Sequence, residues 1–244
     1  MHRLAFALVA LALVLPATGT AGGDGLVYRY YAGSGYRLNP LLSFAQLENR
    51  VSAHDVRGAR SLATRLVTHG VRRGDALYWT YDFPFGGCRA GWTSGFAQAI
   101  AAESLARTAR LTGDRTTLSA ARAAFRGLRH GLLIRIAGGE WVQEYSCTGQ
   151  VILNAQLESL LALELYARIV RTPESRATTA ALERATIRLL PQFDLGTWGR
   201  YQLGGPAADR HYEEYHVDLL RRVAALHREP IWRQTYLRWR AGLG

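Results

Sequence analysis

The 244-residue sequence contains no lysine, so all thirty basic side chains are arginines, set against nineteen acidic ones for a net charge of +11. Every side-chain cation other than histidine is therefore a planar fork that holds carboxylates and sulfates through paired hydrogen bonds, never a compact ammonium. A compositional habit of the genome accounts for such a bias, and so does an acidic partner. No basic run is interleaved with aromatics along one helix. That removes the usual footprint of a nucleic-acid binder and leaves an acidic polysaccharide as the better partner.

Cysteine is almost as scarce, with only Cys88 and Cys147. Two sulfurs without supporting histidines make a poor zinc site, and no other cluster carries metal-ligand spacing, so no metal or other cofactor is expected. Long apolar runs are lacking too, apart from the twelve residues from Leu4 to Leu15. Twelve is short for a bilayer span. With Met1-His2-Arg3 before it, and Pro16 and Gly19-Thr20-Ala21 after it, the run reads as an export signal over residues 1–21. The expected mature chain, 22–244, is a single secreted or periplasmic domain with no stable membrane span. In that setting one disulfide between Cys88 and Cys147 is permitted.

What is present is a folded composition, 48% hydrophobic and 20% charged, arranged as recurring helical patterns. Leu41 to Val51 and "DVRGARSLATRLVTHG" form a first pair. "WTSGFAQAIAAESLARTARLTGD" and the segment from Arg115 to about Arg129, capped by Asp114, form a second. "GQVILNAQLESLLALELYARIV" is apolar nearly all round, and "TPESRATTAALERATIRLLP" follows with Thr172 as N-cap and Pro173 at N1. "ADRHYEEYHVDLLRRVAALH" and "PIWRQTYLRWRAG" close the chain. Between the pairs lie an aromatic extended stretch from Leu77 to Phe85, a hairpin turning at Gly138-Gly139, and a second short hairpin in "QFDLGTWGRYQLGG". Alternating buried and outer helices, with hairpins between pairs, describe an all-α fold: an incomplete α/α toroid of antiparallel helix pairs with short β-hairpins at one rim. The inner helices then point their N-terminal ends at one shared pocket.

Polar and aromatic groups gather at those ends. Glu144 and Tyr145 sit side by side at a strand-to-helix joint, with Asn154 nine residues beyond. Asp194 and Tyr201 lie in the second hairpin, and Tyr215-His216 early in the penultimate helix. Trp92 and Ser94 lead into the first long inner helix, with Gln98 one turn inside it. Each also has an ordinary structural explanation, as a half-buried phenol, a turn residue or a packed imidazole.

The stretch from Trp92 to Leu220 resembles the C-terminal catalytic domain of the D-glucuronyl C5-epimerases. The resemblance rests on "GWTSGFAQAIAAESLARTARLTGD", "EWVQEYSCTGQVILNAQLESLLALELY", "LLPQFDLGTWGRYQL" and "EYHVDLL", in the family's order, and "YRLNPLLSFAQLEN" resembles the family's preceding segment. It departs in reading Gln143 for the first Glu of an E-E-Y motif, Ala155 for a Gly, Phe193 for a Tyr, and Gly204 where the family's second hairpin carries an Arg. The resemblance implies an enzyme that inverts C5 of glucuronate residues in a heparosan-like glycan, without a cofactor. Proton removal next to a carboxylate needs an acid/base group on each face of the sugar and stabilisation of the extra charge. By resemblance Tyr145, Tyr201 and Tyr215 transfer protons, with Glu144 as partner or alternative base. Asn154 and His216 position the uronate, and Trp92, Ser94, Gln98 and Asp194 complete the binding set; proximity in sequence alone, not the resemblance, makes Arg200 or Arg210 the expected replacement for the absent arginine. A uronate lyase, a glycoside hydrolase using Glu144 and Asp194 as its carboxylate pair, and a non-catalytic glycan-binding module remain open alternatives.

Overall fold

The computed structural model describes residues 19–21 and 25–244; residues 1–18, which hold most of the expected export signal, lie outside them. Strands β1 (Gly19–Ala21), β2 (Val27–Tyr31) and β3 (Gly35–Leu38) form one antiparallel sheet. Helices α1 (Pro40–Ser52) and α2 (Val56–His69) follow. Two small ladders, β4 (Val71–Arg73) with β5 (Ala76–Tyr78) and β6 (Thr80–Tyr81) with β7 (Trp92–Thr93), lead into α3 (Gly95–Thr112) and α4 (Arg115–Arg129). The hairpin of β8 (Leu133–Ile136) and β9 (Gly139–Val142) leads into α5 (Leu153–Val170) and α6 (Pro173–Phe193), and α7 (Arg210–Leu226) and α8 (Pro230–Gly242) end the chain.

Helices α1, α3, α5 and α7 stand side by side in sequence order, and each packs against the outer helix that follows it. This is the incomplete α/α toroid. Burial agrees with the assignment: α3 and α5 are covered along nearly their whole surface, whereas α4 buries one alanine-rich stripe ending in Phe125 and Leu128. Short polar turns carry each inner helix to its outer partner, with Asp55, Asp114 and Thr172 capping the outer helices. The return connections are long and all reach the opposite rim, where the inner helices begin.

One side chain repeats at that rim. Gln98 in α3 donates from Nε2 to Leu77 O and Ala124 O, tying the helix to the preceding strand and to α4. Gln156 occupies the matching place in α5, where it accepts from Val142 N and donates to Glu140 O, Leu182 O and Thr186 Oγ1. Both amides are sealed from solvent. Gln98 therefore serves the fold and does not face a ligand.

Three local expectations are revised. The β8–β9 turn is centred on Ala137-Gly138, both with positive φ, rather than on Gly138-Gly139. Gly139 is required for space instead, since a Cβ there would lie 2.2 Å from Ala181 O. Helix α5 begins only at Leu153, because Val151 and Ile152 are extended and pair with the second rim segment: Leu203 N donates to Val151 O, and Leu153 N to Tyr201 O. For the same reason residues 194–208 are not a free hairpin. After a tight loop closed between Asp194 and Gly199, the chain at Gln202 bridges to Ile152.

Cys88 and Cys147 are joined, 59 residues apart in sequence, linking the loop after β6 to the loop after β9. Replacing both by serine is expected to lower unfolding stability by about 4 kcal/mol, the chain-entropy value for a loop of that size, read from urea denaturation under oxidising conditions. A Gln156→Leu variant leaves the Val142 N–H unpaired and removes one bond each from Glu140 O, Leu182 O and Thr186 Oγ1, and should cost on the order of 3 kcal/mol. Wild-type stability of that variant would rule out the clasp.

Candidate active site

The rim loops place an aromatic wall beside the half-buried Glu144, one of whose carboxylate oxygens is sealed from solvent. Tyr81 stacks on Trp92 with ring centroids 4.0 Å apart, and Phe85 and Tyr145 flank Trp92 at 6.1 and 5.4 Å. Tyr31 of β2 adds its ring against Phe83 at 4.0 Å. Trp92 is fixed by its indole N–H, which donates to Phe83 O. Phe85 keeps 43% of its surface exposed, so the wall offers apolar ring area to solvent, a surface suited to the flat faces of sugars. Trp92 thus belongs to the site as a wall residue. Ser94 does not, because its hydroxyl caps α3 by accepting from Ala97 N.

Beside the wall, Glu144 follows β9 in a loop pinned at both ends. Gln143 N donates to Leu132 O, Gly95 N to Gln143 O, and Ser146 N to Thr93 O. The Tyr201 segment is brought alongside by its pairing with residues 151–153. The hydroxyls of Tyr145 and Tyr201 bear on the Glu144 carboxylate, yet its buried Oε2 has no partner in hydrogen-bond geometry. Burial pushes Glu144 up to about 7, against the lowering effect of the two phenols. Tyr145 and Tyr201 are pushed up as well, first by burial and then by the Glu144 charge. Carboxyl and phenols are thus all held in their neutral forms more firmly than in water.

A fourth member was not expected from sequence. Tyr212, in the first turn of α7, packs on Tyr201 at 4.5 Å between centroids, and their hydroxyls interact. Burial raises Tyr212, while contact with Tyr201 and the charge of Arg29 in β2 work the other way. Asp209 carries the signal that could have found it. As the N-cap of α7 it accepts from Tyr212 N, which sets Tyr212 at the rim.

Tyr215, one turn deeper, does not join this group. Its hydroxyl donates to Glu158 Oε2 inside the ring, where Arg222 lies 4.0 Å from Glu158 Oε1. Burial pushes Glu158 up to about 7. His216 is wholly buried with both ring nitrogens unpartnered and Glu213 Oε2 3.7 Å from Nδ1; burial lowers its pKa against the effect of Glu213, and so favours the neutral ring. Asp194 is committed as well, accepting from Trp239 Nε1, Arg238 and Gly196 N. Burial opposes its ionisation, but those bonds hold it below the ordinary carboxylate range. Arg200 donates to Gly205 O. Arg210 is spent on Glu214 and Leu243 O. Arg210 is therefore not free to replace the arginine missing at Gly204, while Arg200 has one guanidinium nitrogen held by a backbone carbonyl. Asn154 is 5% exposed in the first turn of α5, with Oδ1 unpartnered.

Among the described residues, Glu183, His227 and Glu229 bring ligand atoms within 4.8 Å of one another. They lie toward the far end of α7 from the tyrosines, and His227 Nδ1 already contacts Glu183.

Solved structures with the same fold act on carbohydrates. Cellobiose 2-epimerase from Spirochaeta thermophila aligns at a TM-score of 0.60 and 18% identity, covering 93% of this chain and 61% of that one. The family 8 glycosyl hydrolase endoglucanase Cel10 from Klebsiella pneumoniae gives 0.57 and 13%, covering 82% and 68%. An α-amylase from Clostridium perfringens gives 0.59 and 10%, covering 86% and 64%. At these identities the likeness establishes the fold alone, and the chain spans about two thirds of each. The family described as D-glucuronyl C5-epimerase C-terminus matches residues 73–241, a range that holds Trp92, Glu144, Tyr145, Tyr201 and Tyr212. The chain therefore belongs to the D-glucuronyl C5-epimerase C-terminus family.

Proposed function

We propose that this carbohydrate-modifying enzyme inverts C5 of glucuronate residues in an acidic, heparosan-like polysaccharide. The observation that carries the reading is a single carboxyl group, Glu144, lying against two phenols that arrive from different rim loops. A carboxylate poised near 7 can receive a proton at neutral pH. One phenol takes the C5 proton while passing its own to Glu144. The other phenol donates to the opposite face of the sugar. Glu144 then returns its proton to that second oxygen, which restores the starting state without bulk water. Tyr145 serves one face and the Tyr201–Tyr212 pair the other.

Hydrolysis is less favoured, because Asp194, the second carboxylate it would need, is already engaged by Trp239 and Arg238. A lyase shares the first step and differs in expelling the C4 substituent. The disulfide supports work in an oxidising compartment, as expected of an exported chain.

The deciding measurement is incubation with heparosan in deuterated water, followed by NMR. Deuterium at C5, iduronate signals and unchanged chain length are expected. New ultraviolet absorbance from a C4–C5 double bond, or new reducing ends, would replace the proposal with a lyase or a hydrolase. Tyr145→Phe, Tyr201→Phe and Tyr212→Phe should each lose roughly 10²- to 10⁴-fold in turnover, whereas Tyr215→Phe should stay within a few-fold of wild type. Below about pH 7 Glu144 is protonated and cannot accept, so kcat/KM should rise with pH through that value. Glu144→Gln should remove that limb along with most of the activity.

A further inference from the structure

We infer that Arg29 is the carboxylate-binding residue of this site, taking the place of the hairpin arginine absent at Gly204. The inference rests on the uronate reading above and names the group that recognises the acid.

Arg29 and Arg37 are direct cross-strand partners in the β2–β3 ladder, so two guanidinium groups leave the same face of the sheet. Like charges so placed destabilise a sheet unless each is compensated. Arg37 is compensated: its Nη1 lies 3.5 Å from Asp82 Oδ2, and its Nε donates to Ser34 O at 2.8 Å. Among the described residues Arg29 has no such carboxylate. Its guanidinium carbon stands 5.9 Å from the centre of the Tyr31 ring, and the side chain is half-buried.

That position is at the lip of the aromatic wall. The Tyr31 ring lies against Phe83 and Phe85, and its hydroxyl is held by Asn39 Nδ2 at 2.7 Å. Phe85 in turn touches Tyr145 at 5.9 Å between ring centres. On the other side the Arg29 charge reaches Tyr212. A cation without a carboxylate partner among the described residues thus stands at Tyr31, on the edge of the wall that leads to Tyr145, and within electrostatic reach of Tyr212. A sugar carboxylate there would receive a charge-assisted, bidentate contact. The contact would strengthen as C5 deprotonation drives more negative charge onto the carboxylate oxygens. Arg29 lies outside the family-matched range of 73–241, so the N-terminal sheet is a working part of the site.

The test measures binding, which does not depend on turnover. A heparosan oligosaccharide and its carboxyl-reduced counterpart, with glucose in place of glucuronate, are titrated by calorimetry into wild type, Arg29→Gln, Arg29→Lys and Arg210→Gln. Thermal melts of each variant verify folding. Arg29→Gln should bind the acidic oligosaccharide roughly ten- to a hundredfold more weakly, the range for a hydrogen bond to a charged group, and the neutral one as wild type does. Arg29→Lys should fall between, and Arg210→Gln should match wild type. Equal losses for both ligands, or none, would overturn the assignment even if wild type exchanges the C5 proton. Carboxylate-dependent binding through Arg29 without exchange would keep the assignment and refute the epimerase reading. Wild type that does not prefer the acidic oligosaccharide refutes the assignment and the uronate reading together.

Discussion

The site depends on a few backbone hydrogen bonds between residues 151–153 and residues 201–203. These segments come from different helix-pair connections, fifty residues apart, and meet in extended conformation just before α5 begins. The pairing shortens α5 by two residues and ties the chain after the second hairpin to the start of that helix. It carries Tyr201 to the Glu144 carboxyl. Side chains of modest individual strength then act together, because the backbone has already brought them into one volume.

The protein holds two carboxyl–phenol assemblies of similar chemistry in different settings. Glu144 lies at the rim against tyrosines open to the aromatic wall. Glu158 lies inside the ring, bonded to Tyr215 and facing Arg222. Burial raises both carboxyls to about the same value. Ionisation behaviour alone therefore does not separate a site residue from an interior one. Position does: one group borders the partly exposed aromatic wall, while the other is enclosed among inner helices.

Helix number, order and pairing were legible because each amphipathic or all-apolar run ended at a polar cap or a glycine, signals that depend on neighbours in sequence. The joint carrying Glu144 and Tyr145 was legible for the same reason. Tyr212 was not, because its depth, like that of Tyr215 one turn on, is set by where the cap at Asp209 starts α7. Asp194, His216 and Arg200 are the converse. Their residue types suit chemistry, but Trp239, Glu213 and Gly205 O engage or surround them through contacts that no local pattern encodes. Arg29 lay beyond reach because its significance comes from a strand register that leaves one of two arginines unneutralised.

The paired glutamines at the rim have a consequence for motion. Gln156 joins β9, α5 and α6 through one buried amide, and Gln98 does the same for β5, α3 and α4. A hairpin so attached cannot fray without breaking bonds inside the helical layer. Each hairpin and its two helices should then behave as one cooperative opening unit in amide hydrogen exchange, with protection in β8–β9 close to that of α5.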